Sequence, residues 1–192
     1  TNNKGKIKEL QDLLKDTGIE VVTPGQIHLN LDVVEDGQTY AENATKKAVV
    51  FAQASGLVSL ADDSGLEVNA LDGAPGLYSA RYGSPNGGKL SDAERRAFLI
   101  KNLGGKSYPW YARFHATIAI AVPNGEIHFA EGFCEGEIIP EERGTGGFGY
   151  DPIFLLSELG KTMAELTMEE KNPLSHRARA GMNAKVILKT LI

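Results

Sequence analysis

The feature that most restricts the fold of this chain is a long alternation in its second half. Ala112, Phe114, Ala116, Ile118, Ile120 and Val122 recur at every second position, the period of a strand with one buried face. Asn124-Gly125 follows, and a second strand runs from Glu126 to about Phe133. Asn-Gly supplies the positive φ angles of a tight hairpin turn, so two antiparallel strands are expected here. Their apolar face needs covering elements, and the rest of the chain offers both kinds. Ile7, Leu10, Leu13 and Leu14 fall at helical spacing between Lys4 and Lys15. Thr39 with Glu42, and Ser91 with Glu94, are capping-box signals. The first opens an Ala-rich helix to about Ala54, and the second opens a helix that Gly104-Gly105 stops. Ser175 to Ile192 reads as a long helix with Met182, Val186 and Ile187 towards the core. Short strands are expected at Glu20–Val22, Leu57–Ala61 and Ile153–Leu156, and a long Gly- and Pro-rich loop at Gly73–Gly88.

Mixed helices and strands, with at least one hairpin, predict an α/β fold with a mixed sheet. At 192 residues the chain suits one core, or two lobes sharing a sheet, better than two independent domains. No repeat or linker divides it, so residues 1–192 are expected as a single domain. The net charge of −5 speaks against a nucleic-acid polymer as partner, which needs a broad cationic face. It leaves room for a small anion, which needs only a few local donors. Cys134 is the only cysteine, so no intrachain disulfide forms. With no apolar run of about 18 residues to span a membrane, no membrane association is expected and the expected location is the cytoplasm.

Five segments carry chemistry. Asp62-Asp63-Ser64-Gly65 closes an apolar run, and adjacent carboxylates near a core are costly without a compensating cation. A hard cation such as Mg²⁺ meets that need with carboxylate, water and phosphate oxygens. Neighbouring strand residues face opposite sides, so the two aspartates need not share a role; a plain polar turn is the competing reading. Glu35, ahead of the Thr39 cap, can reach such a metal if its loop folds over, or can be a surface acid. Thr1-Asn2-Asn3-Lys4-Gly5-Lys6 places polar groups at a helix N-terminus, a ready anion site, though an ordinary cap fits as well and the Walker spacing is absent. Arg143 to Pro152 carries glycines at 144, 146, 147 and 149 around Phe148, Tyr150 and Asp151. There Phe148 can stack on a flat base while Asp151 or backbone groups read its edge. Lys171 and Ser175-His176-Arg177, like Lys47, offer cations for phosphate or base oxygens, or simply a basic surface. The remaining histidines show no metal-ligand spacing, and Cys134 reads as a buried small residue.

Together and in this order, these motifs resemble the inosine triphosphate pyrophosphatases, which hydrolyse non-standard purine nucleoside triphosphates. The resemblance runs over nearly the whole chain, through Thr1 to Lys6, Glu42-Asn43-Ala44, Ala61 to Leu66, Gly73 to Arg81, Gly144 to Pro152, and Lys171 with Ser175-His176-Arg177. It implies a two-lobed fold with a long sheet flanked by helices and an active-site cleft between the lobes. It also implies Mg²⁺ as cofactor, a homodimer, and cleavage of ITP, dITP and XTP between the α and β phosphates. Carried over by position, Asp63 is the proton acceptor and a Mg²⁺ ligand, with Glu35 as second ligand. Thr1, Asn2, Asn3, Lys4, Gly5, Lys6, Lys47 and Ser64 become triphosphate contacts. Phe148, Gly149, Tyr150, Asp151, Lys171, His176 and Arg177 become the base-recognition set. Family members have a short apolar strand before the segment matching Thr1, and such a strand is expected to precede it here. A metal lowers the basicity of Asp63, so its main contribution is to hold and orient water. Two alternatives stand beside this reading: a pyrophosphatase for another modified or standard nucleotide, and a nucleotide sensor without turnover.

Overall fold

The computed structural model describes residues 4–84 and 90–191. Among these, six strands form one sheet in the order β2-β1-β3-β4-β5-β6: β1 Ser59–Val68, β2 Pro75–Gly76, β3 Trp110–Ala121, β4 Ile127–Ile138, β5 Phe154–Leu156 and β6 Lys161–Thr162. The helices are α1 Lys4–Leu14, α2 Tyr40–Ser55, α3 Asp92–Leu103, α4 Met168–Lys171 and α5 His176–Leu188. The α/β class is as expected, but the sheet is antiparallel rather than mixed. For β3 and β4 the reason is local: a tight turn joins them, in which the Val122 N–H donates to the Glu126 carbonyl at 2.8 Å, and such a turn reverses the chain.

The chain packs as two compact units. The first comprises Thr1–Asp63, Ala116–Gly132 and His176–Ile192. Alternation along β3 sorts its two layers. Ala116, Ile118 and Ile120 meet Leu14 of α1 and Ala180, Ala184 and Leu188 of α5. Ala119 and Ala121, on the opposite face, meet Ala44, Ala48 and Ala52 of α2. Small side chains on both partners let α2 lie close to the sheet. The Thr39 hydroxyl accepts from the Glu42 N–H and starts α2.

Three sequence expectations change in this unit. Glu20–Val22 takes no part in the described sheet; Val21 instead packs against the Leu14 and Ile118 layer. Met182 and Val186 of α5 face solvent, at 45% and 66% exposed. The buried stripe of α5 is Ala180, Gly181 and Ala184, because the helix rides directly on β4. A Cβ added at Gly132 would lie 2.1 Å from the His176 carbonyl, so only small residues fit that crossing. The third change concerns β1, which does not end at Ala61. It runs on to Val68, so Asp62, Asp63, Ser64 and Gly65 lie within a strand and not in a loop.

The second unit comprises Ser64–His115 and Phe133–Ser175. Leu66, Val68, Phe114, Cys134, Ile138, Ile153 and Phe154 are buried there with Leu99 and Leu103 of α3. Ser91 and Glu94 cap α3 reciprocally, as their spacing predicts. Part of the expected Gly73–Gly88 loop forms β2, paired with β1 through Leu66 and Gly76.

Candidate functional site

In the first unit, three elements bring charged groups together. β1 sends Asp62 and Asp63 to opposite faces. On one face, the Arg177 Nε lies 3.4 Å from Asp62 Oδ2, and both side chains are at least nine-tenths buried. Arg177 sits in the first turn of α5, so the last helix carries the countercharge that lets Asp62 remain in the core. On the other face, Asp63 meets α2. Asn43 and Lys47 are four residues apart and therefore share one side of that helix. The Asn43 amide donates to Asp63 Oδ2 at 3.0 Å. The Lys47 ammonium lies 3.9 Å from Asp63 Oδ1, and donates to Glu35 Oε1 at 3.0 Å and to the Asp62 carbonyl at 2.8 Å. Glu35 and Asp63 thus reach the same cation from different segments of the chain.

The second unit holds the Gly-rich loop. Asp151 is 5% exposed, and its Oδ2 accepts from the Phe148 N–H at 2.9 Å and from the Lys171 ammonium at 2.7 Å. Lys171, itself buried, stands 5.2 Å from the centre of the Phe148 ring, within cation–π range. Phe148 is 48% exposed, so the ring offers a flat apolar face to solvent. The carboxylate of Asp151 is thus engaged by the loop backbone and by Lys171. Gly147 is required here. Its φ is +72°, and a Cβ would lie 2.0 Å from Asp151 Oδ2. Tyr150 is buried and its hydroxyl donates to the Ser79 carbonyl at 2.9 Å; burial, the largest influence, pushes its phenol pKa up. Tyr150 therefore braces the loop. Ser64 lies partly buried in β1.

Two residues outside the expected set hold this loop. Asp92 of α3 accepts from the Gly149 N–H at 2.6 Å, and Arg96 donates to the Gly149 carbonyl at 2.8 Å while gripping Glu142. Their four-residue spacing on a capped helix is visible in the sequence, but nothing there ties it to a loop 53 and 57 residues away. Of the expected phosphate-binding residues, Thr1, Asn2 and Asn3, and the side chains of Lys4 and Lys6, lie outside the described residues, as does the surrounding of Gly5.

The sequence model of the Ham1 family matches residues 1–186. The chain belongs to the Ham1 family. A protein of Desulforamulus reducens named dITP/XTP pyrophosphatase is 52% identical over 193 residues, spanning 100% of this chain and 94% of the relative. One of the same name from Thermus thermophilus is 46% identical, over 94% of this chain and 85% of its own. The solved structure of a HAM1 protein from Coxiella burnetii superposes with a TM-score of 0.90 at 39% identity, covering 99% of this chain and 96% of the other. The Staphylococcus aureus Ham1 protein gives 0.88 at 38% identity, covering 100% and 97%. This Ham1 chain is accordingly an enzyme of the nucleoside triphosphate pyrophosphatase class.

The residues around Lys47 fit a divalent metal of the hard type. Among the described residues no three acidic, histidine or cysteine side chains converge. Two carboxylates that share one cation are the donor set Mg²⁺ favours, since it keeps water and substrate phosphates as its other ligands. A largely apolar cavity of about 310 Å³ in the first unit is lined by Leu10, Leu14, Val21, Phe51 and Leu60, and Lys47 forms part of its wall, so it borders the charged group described above.

Proposed function

We propose that this Ham1 protein hydrolyses non-canonical purine nucleoside triphosphates, with ITP, dITP and XTP as substrates, to the monophosphate and pyrophosphate, and that it does so with Mg²⁺. The observation that carries this reading is the sharing of Lys47 by Glu35 and Asp63, set beside relatives named dITP/XTP pyrophosphatase. In this reading Glu35 and Asp63 hold the metal. When bound, Mg²⁺ draws charge from phosphate oxygens and makes coordinated water more acidic.

The chain's own groups do the rest. Asp63, steadied by Asn43, orients the attacking water and accepts its proton. Lys47 offers its ammonium to a phosphate oxygen, joined by Ser64, and Thr1 to Lys6 keep the triphosphate-binding role that the family motif gives them. Positioning and charge neutralisation supply most of the rate enhancement in phosphoryl transfer. Phe148 stacks on the purine. Lys171, held by Asp151, donates to a 6-oxo group, and a 6-amino group there leaves a buried donor unpaired, which disfavours ATP. His176 and Arg177 keep the base-recognition role that the family motif gives them. The single pyrophosphatase domain, the homodimer and a cytoplasmic location belong to the same proposal; among the described residues no helix is long and apolar enough to cross a membrane.

A turnover panel of ITP, XTP, dITP, ATP and GTP, with Mg²⁺ present or chelated, tests it. Pyrophosphate release from the first three, abolished by chelation, is expected. Free phosphate without pyrophosphate would overturn the α–β assignment. Binding without any Mg²⁺-dependent turnover would favour a nucleotide sensor.

A further inference from the structure

We infer that Asn43 is a positioning residue that fixes the spacing between Glu35 and Asp63; the inference rests on the role proposed above for those two carboxylates. Asn43 is 3% exposed in the first turn of α2. Its amide bridges two segments that have no covalent proximity. The Gly37 N–H donates to Asn43 Oδ1 at 2.7 Å, and Asn43 Nδ2 donates to Asp63 Oδ2 at 3.0 Å. The orientation of the amide follows from chemistry. A backbone N–H can only donate and a carboxylate accepts, so oxygen must face Gly37 and nitrogen must face Asp63.

The consequence is mechanical. Gly37 lies two residues after Glu35, on a segment without regular structure, and Asp63 lies on β1. One rigid planar group, seated on a helix that Thr39 caps, therefore sets both ends. It also holds Asp63 Oδ2, while Asp63 Oδ1 lies 3.9 Å from the Lys47 ammonium. In a buried setting both hydrogen bonds strengthen, and losing either strands a polar group. Gly37 is matched to the same contact: a Cβ there would lie 2.7 Å from Asn43 Oδ1. An alanine at 37 would push the amide, and press on the Glu42 Cβ at 2.8 Å, with the Asn43 side chain chemically unchanged.

The test uses Asn43→Ala and Gly37→Ala in the full chain, with ITP kinetics, thermal melts, and Mn²⁺ binding followed by electron paramagnetic resonance without nucleotide. The expected result is a kcat reduced about tenfold to a hundredfold with KM changed less than about threefold, because the reacting groups are misplaced by a fraction of an ångström. Mn²⁺ affinity falls in parallel. If Asn43→Ala does not fold, Gly37→Ala, on a segment without regular structure, decides alone. Wild-type kcat and Mn²⁺ affinity in the folded variants, with only a lowered melting temperature, would make Asn43 merely structural and overturn the inference. Asp63→Asn separates the two levels: if it turns over ITP like the wild type, the underlying reading fails, whereas an inactive Asp63→Asn beside fully active Asn43 and Gly37 variants sinks this inference alone.

Discussion

The two units of this Ham1 chain each hold a lysine against a carboxylate, but in opposite ways. Lys47 sits among Glu35, the Asp62 carbonyl and Asp63, with the Glu35 side chain 44% exposed. Lys171 and Asp151 form a pair whose side chains are 10% and 7% exposed. The first ammonium has several acceptors at the edge of solvent, and its longer contact, 3.9 Å to Asp63, is easily exchanged. The second is committed, at 2.7 Å, and its carboxylate is also tied to the backbone of Phe148. A buried pair whose partner is removed leaves an uncompensated charge, whereas a half-exposed one relaxes into water. The contrast divides labour between a group of charges that can be rearranged around a ligand and a platform that must not move.

Substitutions in the two pairs should therefore fail in different measurements. Asp63→Asn is expected to lower kcat for ITP about a thousandfold, roughly 4 kcal/mol of barrier, while leaving the melting temperature within error or higher, since it removes one of several clustered acids. A large loss of stability there would erase the contrast. Asp151→Ala should do the reverse, costing about 3 kcal/mol of folding stability and so lowering the melting temperature by roughly 6–12 °C. If Asp151→Ala melted like the wild type and lost only turnover, the platform would be a rearrangeable group after all. Gly147→Ala sharpens the same point from the backbone side. A left-handed φ and a Cβ within 2.0 Å of Asp151 Oδ2 should cost about 2 kcal/mol, with a raised KM for ITP as Phe148 is displaced; an unchanged KM would separate the loop from the base.

The same contrast explains what could be read from the sequence. Elements written in local signals were legible: the Ser91–Glu94 box and the Asn124-Gly125 turn both form as their spacing predicts. Asp63 could be nominated because adjacent carboxylates closing an apolar run are odd for a core, whereas Glu35 and Lys47 took their roles from the family resemblance. What could not be read was which polar group answers which. Asn43 belongs to the Glu42-Asn43-Ala44 motif, but nothing in that motif shows that its two bonds run to residues six before and 20 after it. Asp92 and Arg96 are surface-like residues of α3 until Gly149 is brought to them. The error on β1 has the same origin. Asp62-Asp63-Ser64-Gly65 carries loop propensity, and only distant cations, Lys47 and Arg177, make it tolerable as a strand. Met182 and Val186 were misassigned because helix periodicity alone cannot show that Gly132 demands a face of small residues.

A third ion pair lies between the two extremes and gives the smallest effect. Glu67 on β1 accepts from Arg113 Nε at 2.7 Å and contacts His115 Nδ1 at 3.1 Å, with its own side chain 19% exposed and that of Arg113 43%. Burial raises its pKa, but the hydrogen bonds and charges of Arg113 and His115 together outweigh that, so the carboxyl titrates below its usual 4.5. A carboxylate whose folded pKa is depressed adds stability that is complete above the unfolded value and disappears as pH falls through the folded one. Glu67→Gln should therefore cost about 1 kcal/mol near neutral pH, measured by urea unfolding. The gap to wild type should shrink once the pH drops below the ordinary glutamate range. A gap of Asp151 size would put Glu67 with the committed pairs, and a gap unchanged at low pH would show that its charge does not contribute. The intermediate result is expected because Arg113, unlike Lys171, keeps nearly half of its side chain in water.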